Sequence, residues 1–170
     1  MSTAAGPLTL WVPEELLYGM AEESEAERPN ETGGVMLGHR NGSHVVVRSI
    51  LDAGPAAVRW PTGMRPDTAY QTRAIEAAFE ASEGAVTYLG DWHSHPDSVG
   101  RPSRRDRRTL RNIATDREAL CPEPLMLIFG SLELNEWLPA GWVARLGRLG
   151  RFGPLAVEPA AIRPYVDTQP

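Results

Sequence analysis

The stretch YLGDWHSHPDSVGRPSRRD, Tyr88 to Asp106, holds two of the chain's four histidines, one residue apart, and an aspartate eleven residues after the second. Residues 85–93, AVTYLGDWH, read as a strand. Side chains at i and i+2 of a strand share a face, so His93 and His95 can converge on one ion. Pro96 ends the strand, because it cannot extend the hydrogen-bond ladder. The segment from Pro96 to Arg105 then lets the chain turn back. Pro102-Ser103 starts a helix over about 103–115, with Leu110, Ile113 and Ala114 as its apolar face and Asp106 in its first turn. Two imidazoles and one carboxylate suit Zn²⁺ and leave a fourth position open, as a catalytic zinc requires. On these residues alone, two hydrogen-bonded histidines stand level with the metal. Asp106 and Ser103 could equally serve only the helix N-terminus.

A chain of 170 residues and 18.6 kDa is long enough for one well-buried domain and short for two. No apolar run approaches the ~18 residues of a membrane span, and the start MSTAAGPLTLWVPEE does not resemble a secretory signal. The lone Cys121 cannot form an internal disulfide and lacks a nearby base to act as a nucleophile. A cytoplasmic, monomeric or weakly associating protein is expected. A net charge of −5 gives no reason to expect whole-surface binding to nucleic acid or membrane. All seventeen basic residues are arginine, which fits a coding bias. Glu14, Glu15, Glu22, Glu23, Glu25 and Glu27 crowd the start of the chain, and six arginines crowd residues 101–111. The arginine run is expected to be a solvated helix face that pairs with the acidic first helix. A basic rim for an acidic substrate ranks second.

The remaining pattern is of strands interleaved with helices. PLTLWV (7–12) reads as a short strand, followed by a helix opened by Pro13 and stopped by Pro29. GGVMLGHR and SHVVVRSIL flank Asn41-Gly42, a dipeptide that favours a tight hairpin. A Pro/Gly-rich loop (52–66) leads to Asp67, an N-cap for a helix over about 68–82 with Ile75, Ala78 and Phe79 facing inward. PLMLIFG (124–130) reads as a buried strand and GWVARLG (141–147) as an alternating one. The order predicts one α/β domain with a mixed sheet. Asp91 shares the parity of the two histidines and reads as a polar residue at the cleft, or less favourably as a partner of a ligand imidazole. Trp92 has the opposite parity and reads as core.

His93-Ser94-His95-Pro96, followed by Pro102-Ser103-Arg104-Arg105-Asp106, resembles the JAMM (MPN-domain) metallopeptidase motif, His-x-His, seven residues, Ser-x-x-Asp. Upstream, ETGGVMLGH from Glu31 is similar to that family's glutamate-containing segment. The resemblance covers roughly residues 8–147. It implies a single α/β domain, a curved mixed sheet flanked by helices of cytidine-deaminase-like type, with zinc at its open edge. The domain would span 1–150, and 151–170 would be a proline-rich tail or edge segment.

Residue by residue, the resemblance assigns His93, His95 and Asp106 to the zinc. Glu31 becomes the general base toward zinc-activated water, and Ser103 the group that stabilises the oxyanion. The implied activity is hydrolysis of an isopeptide or peptide bond at the C-terminus of a ubiquitin-like or cyclase-type protein conjugate. E1-like and E2-like proteins are the implied operon partners, as in CBASS-type antiphage systems. The second reading is a processing peptidase for a ubiquitin-like sulfur-carrier protein. A non-catalytic MPN scaffold comes last, because the five site residues are intact. The DNA-repair-associated RadC branch has Ser-Gly where this chain has Asp97-Ser98, so no nucleic-acid contact is expected.

Overall fold

The computed structural model describes residues 7–167. In chain order the elements are β1 (Thr9–Pro13), α1 (Glu14–Glu27), β2 (Gly33–Asn41), β3 (His44–Leu51), β4 (Val58–Trp60) and β5 (Gly63–Arg65). There follow α2 (Thr68–Ala81), β6 (Thr87–His95), α3 (Arg104–Thr115), β7 (Leu125–Glu133), β8 (Glu136–Leu146), a 3-10 turn at Gly150–Phe152 and β9 (Leu155–Tyr165). Seven strands close into a barrel in the order β1-β3-β2-β6-β7-β8-β9, and β4 with β5 forms a separate small hairpin. Pairing is mixed: β6–β7, β1–β3 and β1–β9 are parallel and the other neighbours antiparallel. A mixed sheet with helices is therefore correct, but the sheet has no open edge of the kind expected.

The closure comes from the segment expected to be a tail or an edge segment. Leu155–Tyr165 pairs antiparallel with β8 and parallel with β1, so its backbone is hydrogen-bonded on both sides. Pro159 and Pro164 interrupt its apolar pattern, and proline within a run argues against a paired strand. Tertiary pairing overrides that local signal here.

β7 carries apolar side chains on both faces, which explains its unbroken run. Leu125, Leu127 and Phe129 join a core with Leu10, Val12, Met36, Val45, Val47, Leu89 and Trp92, and Met20 of α1 packs into it. Trp92 meets Phe129 edge-on with centroids 6.3 Å apart. Met126 and Ile128 point the other way and pack with Leu110 of α3 and Ala144 of β8. That second cluster seats α3 on the sheet face that carries the histidines.

Three smaller expectations change. The β2–β3 hairpin turns one residue later than expected, over Gly42-Ser43, with Gly42 in the left-handed region at φ +61°. Asp67 caps α2 as expected, accepting from the Tyr70 N–H at 3.0 Å. Phe79 is not inward, however, and is 49 % exposed. The inward position of α2 is Gln71, which donates to the Asp52 carbonyl at 2.9 Å. A cavity of about 570 Å³ lies between α2 and α3, over Tyr88 and Asp91 of β6, with Gln71 and Ile75 in its lining. No helix among the described residues is long and apolar enough to cross a membrane.

Candidate metal centre

In the parallel β6–β7 pair, His93 lies opposite Ile128 and His95 opposite Gly130. Partners in register point to the same side, so both imidazoles face the side covered by α3. Asp106 precedes Leu110 by one helical turn and shares its inward face. Burying Leu110 against Met126 and Ile128 thus aims the Asp106 carboxylate at the histidines. The result is compact. His93 Nε2 is 3.0 Å from His95 Nε2, Asp106 Oδ1 is 3.3 Å from His93 Nε2, and Asp106 Oδ2 is 3.5 Å from His95 Nε2.

The three ligand atoms lie within 4.8 Å of one another, a grouping that can hold one metal ion. Their donor chemistry fits such an ion. His95 Nδ1 lies 3.4 Å from the Val99 carbonyl, and a proton donated there leaves Nε2 with its lone pair directed at the cluster. Asp106 stays ionised. Burial alone would raise its pKa, but hydrogen bonds from His93 and His95, their charge and the Ser103 N–H hold it well below the usual carboxylate range. For His95, burial pushes the pKa down, and the hydrogen bond and charge of Asp106, with the charge of Glu31, outweigh it, so the net shift is upward.

Ser103 and Asp106 form a reciprocal capping box. Ser103 Oγ accepts from the Asp106 N–H at 3.2 Å, and Asp106 Oδ2 accepts from the Ser103 N–H at 2.6 Å. The same carboxylate oxygen that approaches His95 is thereby fixed in direction. The cap uses a lone pair of the Ser103 hydroxyl and leaves its proton available to donate.

Glu31 opens onto a cleft of about 170 Å³ together with His93, Asp106, Gly63, Met64 and Arg105. Burial raises its pKa, and the charges of His93 and His95 pull it partly back. Its backbone is held from two sides. The Glu31 N–H donates to the Trp60 carbonyl at 3.1 Å, and the next residue, Thr32, is bonded to Ser94 of β6. The TGG that follows allows this approach, since a Cβ at Gly33 would collide with the Trp92 carbonyl and one at Gly34 with that of Leu51. The hairpin β4–β5, within the stretch expected to be a loop, walls the cleft with Gly63 and Met64, while Trp60 lies under the Arg105 guanidinium at 5.0 Å.

Other candidates resolve differently. Asp91 accepts from the Tyr88 hydroxyl at 2.6 Å, in line with a polar residue at the cleft. Burial raises its pKa. Trp92 is core. Cys121 is buried near the Leu89 carbonyl, and burial pushes its thiol up to about 11, which disfavours a thiolate. Among the described residues, the ion pairs of α1 do not reach the arginines of 101–111. Glu23 and Glu27 pair with Arg59, and Glu25 with Arg28.

Sequence reasoning missed Ser94, Thr32 and Arg28. Ser94 carried a usable signal, because its parity is that of Trp92 and a polar residue on a core face needs partners. Thr32 reaches Ser94, and Arg28 reaches Pro96 and Ser131, only through tertiary contacts.

Three convergent ligand atoms, two of them from residues that share a cleft with an acid, make an arrangement used for metal-assisted hydrolysis. Residues 13–141 match the family described as prokaryotic homologs of the JAB domain, and the chain belongs to that family. A protein of Sinorhizobium fredii named a probable metalloprotease is 34% identical over 144 residues, 84% of this chain and 87% of its own length. CD-NTase/cGAS isopeptidases of Vibrio cholerae and Escherichia coli are each 36% identical, over 91 and 107 residues. Those matches span 53% and 61% of this chain and 58% and 64% of the two relatives. A solution structure of a Desulfitobacterium hafniense protein shares the fold, with a TM-score of 0.69 at 20% identity over 94% of both chains. The protein is a hydrolase of the JAMM type.

Proposed function

We propose that this chain is a zinc-dependent isopeptidase that cleaves the bond joining the C-terminus of a ubiquitin-like or cyclase-type protein to its target. The observation that carries this is the shared cleft, in which Glu31 faces the same space as His93 and Asp106. Isopeptidases among the relatives support the choice of bond. His93, His95 and Asp106 would hold the zinc. When bound, the ion supplies Lewis acidity that activates water and polarises the scissile carbonyl.

The protein groups do the rest. Glu31 takes the proton of the attacking water and delivers it to the departing amine. Its raised pKa favours the first half of that task, because a carboxylate made more basic by burial takes up a proton more readily. Ser103 donates its hydroxyl proton toward the developing oxyanion while its lone pair keeps the helix cap. An extended substrate tail would run along the β4–β5 hairpin to reach the metal, with Met64 beside the scissile bond. The proposed setting is cytoplasmic, beside E1-like and E2-like partners.

The test uses conjugates assembled by E1-like and E2-like proteins encoded near this chain. Release of free modifier by the wild type, absent after chelator treatment, supports isopeptidase action. Intact conjugates alongside cleaved linear precursors would transfer the assignment to a processing peptidase.

A further inference from the structure

We propose that Arg28 is a positioning residue for the metal centre, acting through the main chain that leaves His95. Arg28 follows α1 and is remote in sequence from the motif, yet its guanidinium reaches the residue directly after the second histidine. Nη1 donates to the Pro96 carbonyl at 2.6 Å and Nη2 to Ser131 Oγ at 2.6 Å, with a longer contact from Nη2 to the Glu133 carbonyl at 3.5 Å. Nε lies 3.4 Å from Glu25 Oε2, and Asp97 Oδ1 is 3.7 Å from Nη1. The guanidinium also covers the Trp137 ring at 4.8 Å.

The clamp is itself held. Glu25 Oε2 accepts from Trp137 Nε1 at 2.7 Å and from the Asn135 N–H at 3.2 Å. Ser131 Oγ passes its proton on to the Glu133 carbonyl at 2.7 Å. An arginine side chain only 16 % exposed needs such partners, since an unpaired charge there would be costly. A lysine could not span these acceptors with one planar fork.

What the clamp fixes is the start of the 96–102 loop. That loop returns the Val99 carbonyl to His95 Nδ1 and is tied to β7 by the Ser131 N–H, which donates to the Ser98 carbonyl at 3.0 Å. It then delivers the chain to Ser103 and Asp106. Proline at 96 has no N–H of its own, so its carbonyl is the only main-chain handle at that point. Arg28 grips that handle and Ser131 together, and so sets the loop against β7 between two ligands and a third.

This inference rests on the metal reading above, and zinc itself is the probe. Zinc affinity and release rate are measured by competition with a chromophoric chelator. The proteins are wild type, Arg28→Met, Arg28→Lys and Met20→Ala, at a temperature where circular dichroism shows each folded. Met20→Ala opens a core cavity in α1 and serves as a matched loss of stability remote from the loop. Both Arg28 variants should lose about tenfold in zinc affinity and release zinc faster, the low end of the effect of outer-shell changes. Met20→Ala should stay within about twofold of wild type. If Arg28→Met does not fold, Arg28→Lys decides. Affinities equal to wild type in the Arg28 variants, or an equal loss in Met20→Ala, would overturn the positioning role alone. Failure of wild type to bind zinc would overturn it together with the metal reading.

Discussion

Ser94 of β6 and Thr32, the residue just before β2, hold each other: the Thr32 N–H donates to Ser94 Oγ at 2.9 Å, and the Ser94 N–H donates to the Thr32 carbonyl at 2.8 Å. Ser94 stands between the two histidines and Thr32 directly follows Glu31. The pair therefore fixes the distance between the acid and the ligands. Thr32 Oγ1 extends the tie, donating to Glu23 at 2.7 Å and accepting from Arg59 Nε at 3.0 Å.

Replacing Ser94 by alanine should leave the buried Thr32 N–H without its side-chain partner and cost about 1–3 kcal/mol. Catalysis should fall further than zinc binding, because the histidines keep their strand while Glu31 loses one of the ties beside it. Denaturant titration and zinc competition on the same sample check both parts. A stable Ser94→Ala variant with unchanged kcat would show that the tie is dispensable.

Substitution can separate the proposed oxyanion role of Ser103 from its helix cap. Glycine is a tolerable N-cap, within a few tenths of a kcal/mol of serine, but offers no hydroxyl. Ser103→Gly should keep its melting temperature and zinc while kcat drops by roughly 10²–10³, the scale for losing one oxyanion donor. Equal losses of stability and rate would reduce Ser103 to a helix cap.

The pH dependence follows from Glu31 and His95. Burial raises the Glu31 carboxyl, and a base acts only when deprotonated. In the metal-free protein the Glu31 carboxyl should titrate above the ordinary glutamate range, which NMR of the carboxyl carbon reads. The His95 pKa is raised in the metal-free protein by Asp106 and Glu31 against the effect of burial. The proposed zinc would have to displace that proton, so affinity should weaken as the pH falls through the raised value and binding should release protons. Calorimetry in buffers of different ionisation enthalpy reads that release. A Glu31 carboxyl that titrates at or below the ordinary glutamate range in the metal-free protein would contradict the effect of burial.

Much of the site could be read before the structure because its chemistry is local. His93 and His95 are positioned by strand parity, and Asp106 by its place in a capped helical turn. Asp67 was likewise readable as a cap. What could not be read depends on distant chain segments. β9 carries two prolines and closes the barrel only because β1 and β8 both present unpaired edges to it. Phe79 looks inward by helical spacing, yet it stands half exposed, and the buried position of α2 is Gln71. The first helix and the arginine run carry opposite charge, yet α1 meets Arg59 and Arg28 instead. Composition measures charge but not adjacency.

Removal of the ligands should abolish the metal. Purified wild type should carry about one zinc per chain, and His95→Ala or Asp106→Ala should lose tight binding, since two donors cannot replace three. Stoichiometric zinc in a His93/His95 double alanine variant would place the ion elsewhere.

The central claim is that Glu31 moves the proton in a zinc-dependent hydrolysis. Its most direct test is the single-turnover rate of zinc-loaded Glu31→Gln on a conjugate that the wild type cleaves. Glutamine keeps the shape and removes the base, so zinc content should be unchanged while the rate falls roughly 10²–10⁴-fold, with the conjugate held uncleaved in the cleft. A Glu31→Gln enzyme that cleaves at the wild-type rate would contradict the account.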